Sequence, residues 1–268
     1  MSRPGPVRVE WSGSVAQIVI DRGERRNALT DPMVRSLNQA LAALADDPKV
    51  TGVIVTGVDG AFCAGADLDM VKSNTAAATE DTREYIEAEG QAIIRGLIAL
   101  PVPTIAAIDG PALGLGFDLA LACDSIFIGP SGWCMQAWGR LGLIDGTGGS
   151  LLLRHRNPTV LWRLLAEQPR ITGSLGAELS IAEDTGERSA RDVALERMHG
   201  FDHFTRDALT AYVDVQRTPI RAEIDAHLAR TARVQANLLT SPEFTAAADR
   251  VLRSSRTDER EAKGTAHV

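Results

Sequence analysis

AFCAGADL at residues 61–68 and DGPALGLGFD at residues 109–118 are two turns of small residues, and each follows a buried-strand pattern and opens a helical pattern. A strand that turns directly into a helix leaves the first N–H groups of that helix without intrahelical acceptors, at the positive end of the helix dipole. Two such turns, brought together, can bind one developing oxyanion. The repetition therefore predicts that both turns face a single site.

Strand and helix patterns alternate on both sides of the two turns. The apolar, β-branched runs that predict strands are residues 15–20, 50–56, 104–108 and 125–128. Asp31 and Pro32 supply a cap and a first-turn proline for a helix whose apolar positions recur at helical spacing. Repeated crossovers between strands and helices predict an α/β core.

The composition of the chain shifts after about Arg188, where strand patterns end and charged helical patterns begin. We expect residues 1–188 to form the α/β core and residues 189–268 to form a helical subdomain that packs against a neighbour or a second subunit. The stretch Lys72–Thr82 is polar and rich in alanine, which predicts a surface loop beside the first turn. The polar residues 257–268 are expected to fray.

Charge and composition exclude several classes of protein. The net charge is −7 and the basic residues do not cluster into one stripe, so the electrostatic footprint of a nucleic-acid-binding protein is absent. No apolar run reaches the eighteen or so residues of a membrane helix, and the first residues lack a signal-peptide core. Three cysteines are an odd number at spacings that fit neither a zinc site nor a disulfide framework. We therefore expect buried free thiols and a cytoplasmic protein.

Several motifs occur in the order typical of one family. They are Arg26-Asn27-Ala28-Leu29, residues 53–57, residues 61–68, residues 103–110, residues 119–124 and residues 141–149. On these motifs the chain resembles the crotonase, or enoyl-CoA hydratase/isomerase, superfamily. The resemblance implies a crotonase-type α/β spiral of β-β-α units with a helical C-terminal region that builds trimers, often paired into hexamers. It also implies an acyl-CoA thioester as substrate, with no bound cofactor and no metal.

The resemblance assigns roles to residues of both turns. The backbone N–H groups of Ala66 and Leu115 would form the oxyanion hole, although the family usually has glycine at the position of Leu115. The expected substrate-binding residues are Ala28, Ala64, Asp67, Leu68, Gly116 and Trp138. Arg25, Arg26 and Lys72 are the candidates for the CoA phosphates, and Asp69 stands where the family commonly has a lysine. Asp67 also fits the N-cap position of the following helix.

The acid and base positions depart from the family pattern. Hydratases of this family use two glutamates, and the matching positions are Asp118 and Trp138. Aspartate is shorter by one methylene, a displacement on the order of 1 Å that can cost about a hundredfold in rate, and tryptophan cannot exchange a proton. Asp145 lies near the place of the nucleophile in 4-chlorobenzoyl-CoA dehalogenases, but Gln91 replaces the histidine base of those enzymes.

Each candidate also has a structural interpretation. Asp118 could complement a helix dipole, and Asp145 could be a turn or cap residue. His199 and His203 have a metal-like spacing without a carboxylate cluster, so no zinc site is expected.

The leading hypothesis is an acyl-CoA isomerase or slow hydratase in which Asp118 carries the proton and Asp145 is a second catalytic candidate. The alternatives are an acyl-CoA carrier without turnover, an aryl-CoA-processing enzyme of the dehalogenase type, and an oligomeric scaffold.

Overall fold

The computed structural model describes residues 5–74 and 79–265, with side chains described as far as residue 254. The strands are β1 (Val7–Ser12), β2 (Val15–Ile20), β3 (Gly52–Gly57), β4 (Thr104–Ile108), β5 (Pro111–Leu113), β6 (Ser125–Ile128), β7 (Trp133–Met135) and β8 (Glu183–Asp184). The helices are α1 (Asp31–Asp46), α2 (Leu68–Asn74), α3 (Thr79–Tyr85), α4 (Gln91–Ala99), α5 (Leu115–Leu121), α6 (Gly149–Arg156), α7 (Val160–Glu167), α8 (Gly173–Glu178), α9 (Ala190–His199), α10 (Arg206–Leu239) and α11 (Pro242–Thr265). A π-helical turn, Ile86–Gly90, joins α3 to α4.

The main sheet has the strand order β1-β2-β3-β4-β6-β8. β1 pairs antiparallel with β2, and the other neighbours are parallel. A smaller parallel sheet pairs β5 with β7, so that β4, β5 and α5 follow one another as a β-β-α unit. The predicted α/β fold is confirmed, and each of the predicted strands is present.

Helices cover both faces of the main sheet, which explains why β2 and β4 are buried at every position. On one face lies the principal core, to which α1 contributes its apolar stripe and α4 contributes Ile93, Ile94 and Leu97. α1 begins at Asp31, with Thr30 rather than Asp31 in the N-cap position. On the other face, Ala190, Ala194 and Met198 of α9 pack against the sheet. α9 therefore belongs to the sheet's packing although it follows the predicted boundary at residue 188.

The long helix α10 is attached to the core through a buried arginine. Arg217 donates from Nη2 to Asp124 Oδ2 at 2.6 Å and from Nη1 to the Leu100 carbonyl oxygen at 2.6 Å. Burial alone would raise the pKa of Asp124, but its hydrogen bonds with Arg217 hold that pKa below its usual value. This arginine ties α10 to the carboxyl end of α4 and to the loop before β6.

Two helical stretches, one in the middle of the chain and one at its C-terminal end, differ from the sequence expectation. The predicted loop Lys72–Thr82 contains the end of α2 and the start of α3, and its residues 75–78 lie outside the described residues. The backbone of α11 continues through Thr265, where fraying was expected, because its polar end consists largely of residues that favour helices. Residues 266–268 of that expectation also lie outside the described part. Among the helices that the structure describes, none has the length and apolar content needed to span a membrane.

Candidate active site

The two turns of small residues are in direct contact. A Cβ atom built on Gly116 would lie 2.1 Å from the Cys63 carbonyl oxygen, so only glycine fits there. The Leu113 N–H donates to the same Cys63 oxygen at 3.0 Å, and the Cys63 N–H donates to the Pro111 oxygen at 3.1 Å. A Cβ atom built on Gly65 would lie 3.6 Å from the Leu115 nitrogen. The turns therefore converge rather than point apart.

The N–H groups of Ala66 and Leu115 have no protein acceptor within the described residues. Leu29 forms a parallel β-bridge with Ala66: the Leu29 N–H donates to the Gly65 oxygen, and the Asp67 N–H donates to the Leu29 oxygen. The Ala66 N–H therefore faces away from Leu29. Gly114 takes the left-handed conformation (φ +51°) that precedes α5. Leu115 can then begin the helix without a positive φ, which is why a leucine is tolerated at this position.

A largely apolar cavity of about 280 Å³ opens beside these two N–H groups. Ala64, Gly65 and Ala66 of the first turn and Leu113, Gly114 and Leu115 of the second all line it. The opposite walls come from distant segments: Tyr85 and Glu89 beside the π-helical turn, Trp138, Thr147, and Phe244 and Val251 of α11. The cavity therefore suits an apolar group whose polar end reaches the convergent N–H pair.

A second cleft, of about 320 Å³, adjoins the cavity. Its lining includes Arg25, Arg26 and Ala28, and it shares Ala64, Ala66, Leu68 and Leu113 with the cavity. The Ala66 backbone therefore lies where the apolar cavity meets an outer cleft that carries basic residues. A ligand with an apolar end in the cavity and a phosphate-bearing end in the outer cleft would place a central carbonyl beside the Ala66 backbone.

Two of the three basic residues predicted to bind the CoA phosphates are paired with carboxylates of this chain. Arg25 Nη2 donates to Asp69 Oδ2 at 2.8 Å, and Lys72 forms an ion pair with Asp249 of α11. Arg26 is exposed, has a positive φ of 50° and lines the outer cleft. Of the predicted cations, Arg26 is therefore the most accessible to an anionic ligand.

Asp67 acts as the N-cap of α2 and also forms an ion pair that sequence reasoning missed. Its Oδ1 accepts from the backbone N–H groups of Asp69 and Met70, while its Oδ2 accepts from Arg22 Nη1 at 2.8 Å. Burial acts to raise the pKa of Asp67, but the hydrogen bonds from Arg22 and the Met70 N–H, together with the charges of Arg22 and Arg25, outweigh it and the pKa is lowered. The charged carboxylate thus ties the first turn to the loop after β2.

Asp118 is completely buried behind the cavity wall. Its Oδ2 accepts hydrogen bonds from Trp138 Nε1 at 3.1 Å and from Thr147 Oγ1 at 2.6 Å, and both of those residues line the cavity. Asp118 itself is not among the lining residues. Burial, and secondarily the nearby Asp145 carboxylate, raises the pKa of Asp118 well above its usual value. Burial therefore favours the neutral form of this carboxyl group relative to an exposed aspartate.

Asp145 and Gln91 have evident structural partners. Asp145 Oδ2 accepts from the Ser150 backbone N–H at 2.7 Å in the first turn of α6, and burial raises the pKa of this carboxyl group. Gln91 Nε2 donates to the carbonyl oxygens of Gly146 at 2.7 Å and Leu228 at 2.8 Å. Neither residue lines the cavity. The structure therefore does not bring the two dehalogenase-like positions to the candidate site.

The remaining sequence expectations concern thiols and metals. Cys63, Cys123 and Cys134 are buried and free. In the described residues, no group of three or more potential metal ligands is found. His199 contacts Ser12 and Asp202 instead of forming a metal pair with His203.

Sequence reasoning missed the walls that come from α11 and from the π-helical turn. The residues concerned are Tyr85, Glu89, Phe244 and Val251. No local motif marked them, because their approach to the two turns depends on how α10 and α11 pack. The helical spacing of Ile86 with the apolar positions of α4 was the available signal for a buried face there.

The chain matches proteins of one family over most of its α/β core. A family model described as enoyl-CoA hydratase/isomerase matches residues 10–160. "Probable enoyl-CoA hydratase EchA14" of Mycobacterium tuberculosis is 35% identical over 158 residues, which cover 58% of this chain and 59% of that protein. Human mitochondrial methylglutaconyl-CoA hydratase is 35% identical over 160 residues, 59% of this chain and 45% of that protein. The matched segment thus spans less than two thirds of the length of either relative.

Longer alignments extend the likeness to the C-terminal helices. A "probable enoyl-CoA hydratase" of Rhodobacter capsulatus is 29% identical over 253 residues, covering 89% of this chain and 91% of that protein. The fold of an enoyl-CoA hydratase/isomerase from Mycobacterium paratuberculosis superposes with a TM-score of 0.84 at 22% identity, covering 92% and 98% of the two chains. Pseudomonas aeruginosa OdaA superposes with a TM-score of 0.82 at 25% identity, covering 92% and 99%. With its α/β core matched by the family model, the chain belongs to the enoyl-CoA hydratase/isomerase family, a part of the crotonase superfamily.

Proposed function

We propose that this protein binds an acyl-CoA thioester and stabilises its enolate through the backbone N–H groups of Ala66 and Leu115. The observation that carries the proposal is the convergence of these two N–H groups, both without a protein acceptor in the described residues, at the junction of an apolar cavity and an outer cleft. Loss of one donor from such a pair typically costs two to three orders of magnitude in rate. The family supports a thioester as the ligand class.

In this proposal the acyl group occupies the cavity and the CoA portion follows the outer cleft. Ala64, Leu68 and Trp138 contact the acyl end, and Ala28 and Asp67 flank the exit. Gly116 contributes by allowing the close approach of the two turns. Arg26 and Arg25, which line the outer cleft, serve the phosphates, and Lys72, which pairs with Asp249, is a further candidate. No metal or bound cofactor takes part.

Asp118 is proposed as a proton carrier for the reaction. Trp138 and Thr147 both donate to Oδ2, whereas Oδ1 has no hydrogen-bond partner among the described residues, so Oδ1 is the atom on which this carboxyl group would carry a proton. Trp138 stands where a second glutamate would be needed for rapid hydration, so isomerisation or slow hydration suits the site better. Asp145 remains a second catalytic candidate, acting through its electrostatic interaction with Asp118.

A panel of enoyl-, 3-hydroxyacyl- and aryl-CoA thioesters tests this function. Binding is measured as a ligand-dependent rise in melting temperature, and enolate formation as deuterium uptake at the thioester α-carbon in D₂O. Binding with deuterium uptake is the expected result. Binding without uptake or turnover would identify an acyl-CoA carrier. No binding of any thioester would leave the oligomeric scaffold as the remaining hypothesis. Uptake abolished in Asp118→Asn would support Asp118 as the proton carrier.

The oligomer and the compartment are also part of the proposal. The resemblance to crotonases implies a homotrimer or a hexamer, and the sequence features favour a cytoplasmic location. α10 exposes Tyr212 and Val215, two large apolar side chains that a second subunit could cover. Sedimentation equilibrium measures the mass directly, and a monomer at micromolar concentration would contradict this prediction.

A further inference from the structure

Among the described residues that line the apolar cavity, Glu89 is the one acidic residue. Asp118, the carboxyl group that occupies the family position, lies one layer further back and contacts the lining through Trp138 and Thr147. A carboxylate in an apolar ligand cavity is costly to desolvate, so its presence calls for a function. Nothing in the proposal above uses Glu89.

The local backbone holds Glu89 in the wall. It lies in the π-helical turn Ile86–Gly90, which closes when the Gln91 N–H donates to the Ile86 carbonyl oxygen. Single π-helical turns of this kind occur frequently at functional sites. The Gln91 side chain fixes the end of the turn by donating to Gly146 and Leu228. Gly90 approaches Thr147 closely, since its Cβ position is 3.3 Å from Thr147 Cγ2. The turn therefore packs beside the part of the wall that covers Asp118.

Few neighbouring groups engage the Glu89 carboxylate. Its side chain is 22% exposed, and Arg35 Nη1 lies 3.6 Å from Oε1, which is an ion-pair distance but longer than a hydrogen bond. No hydrogen bond to the carboxylate oxygens of Glu89 is found among the described residues. The neighbouring Tyr85 hydroxyl donates to Asp31, so its proton is directed elsewhere. The carboxylate oxygens of Glu89 thus have lone pairs that no hydrogen bond from the described residues occupies, in a residue that lines the cavity.

We infer that Glu89 is the catalytic base that removes the α-proton of the bound thioester and returns it in the isomerisation. In this step the α-carbon–hydrogen bond breaks, the proton forms an O–H bond with the Glu89 carboxylate, and the electron pair moves onto the thioester oxygen. The Ala66 and Leu115 N–H groups stabilise that oxygen. The protonated Glu89 exchanges with D₂O, and return of a deuteron to the α-carbon gives the uptake that is measured. When the γ-carbon takes the proton or deuteron instead, the thioester C=O re-forms, the double bond shifts and the Glu89 carboxylate is restored. In this step Glu89, rather than Asp118, carries the proton. The inference rests on the proposed thioester function.

Glu89→Gln tests the inference, because glutamine has nearly the same shape and cannot take up the proton. Deuterium uptake at the α-carbon of the thioester panel should fall 10²- to 10⁴-fold in kcat, the usual contribution of a general base, with KM changed less than about threefold. The matched control is Glu87→Gln. Glu87 lies in the same π-helical turn but pairs with Arg83 and does not line the cavity, so its variant should retain the wild-type rate.

Three results separate this inference from the function on which it rests. If the wild-type protein shows no uptake with any thioester, the proposed function fails. If the wild-type protein shows uptake and Glu89→Gln retains it within threefold, Glu89 is not the base and the inference is overturned. If Glu89→Gln loses uptake while its melting temperature and its thioester-induced thermal shift stay at wild-type values, the loss is chemical rather than structural and the inference stands.

Discussion

Gly116→Ala should disable the pair of backbone donors while leaving every functional side chain unchanged. The new Cβ would lie 2.1 Å from the Cys63 carbonyl oxygen, whereas an ordinary carbon–oxygen contact needs about 3.3 Å. The two turns must therefore separate by roughly 1 Å, which is enough to cost about a hundredfold in rate through misplacement alone. Overpacking of this kind also destabilises a core by about 1–3 kcal/mol.

The assay is deuterium uptake at the thioester α-carbon, measured beside a thermal melt that confirms the folded state. Uptake should fall by about two orders of magnitude, in line with the loss of one oxyanion donor. Gly139→Ala is the matched control, because its Cβ would meet only the end of the Gln168 side chain at 3.5 Å. A folded Gly116→Ala variant with wild-type uptake would refute the reasoning that the contact of the turns creates the oxyanion hole.

Three further predictions concern buried charges. Because the folded-state pKa of Asp118 is raised, the stabilising contribution of this group is fully present below about pH 4 and is lost as pH rises through the raised pKa, at about 1.4 kcal/mol per unit of pKa shift. Thermal melts from pH 5 to 9 should therefore show a smaller loss of stability with rising pH in Asp118→Asn than in the wild-type protein. Equal slopes would contradict the assignment. Arg217→Met removes the countercharge of Asp124, to which Thr104 still donates, and leaves several carbonyl groups without their arginine donor. Urea unfolding should therefore show a loss of about 3 kcal/mol, part of which Asp124→Asn in the same chain restores. Asp67→Asn keeps the helix cap and removes the ion pair with Arg22, so the free energy of unfolding should fall by about 1–2 kcal/mol, and an unchanged urea midpoint would show that the pair contributes nothing.

The elements of the core could be predicted from sequence because their signals are local. The β-branched runs of β2, β4 and β6 have the predicted bounds, and the apolar spacing of α1 has the predicted buried face. The two turns were recognisable for the same reason, since small residues between a strand and a helix are a short-range pattern. Their convergence was a prediction about topology, and it follows from the parallel order of β3 and β4.

The electrostatics of the candidate site depend on contacts that no local pattern encodes. Arg25 pairs with a carboxylate 44 positions away, and Lys72 pairs with one 177 positions away. Asp118 lies in the expected first turn of a helix, but its burial depends on Trp138 and Thr147 covering it. Residue type and spacing therefore could not predict which carboxyl groups lie behind the cavity wall and which belong to its lining.

Phe244 and Val251 of α11 close the cavity more than 120 residues beyond the second turn. Under the proposed function, the turns that stabilise negative charge and the helix that contacts the acyl group are thus encoded far apart in the gene. Substitutions in the last helix can alter the preferred chain length or bulk of the ligand while the charge-accepting backbone stays intact. Relatives with the same central turns can accordingly diverge in the esters they accept, and selectivity in this protein can be redesigned from its C-terminal end.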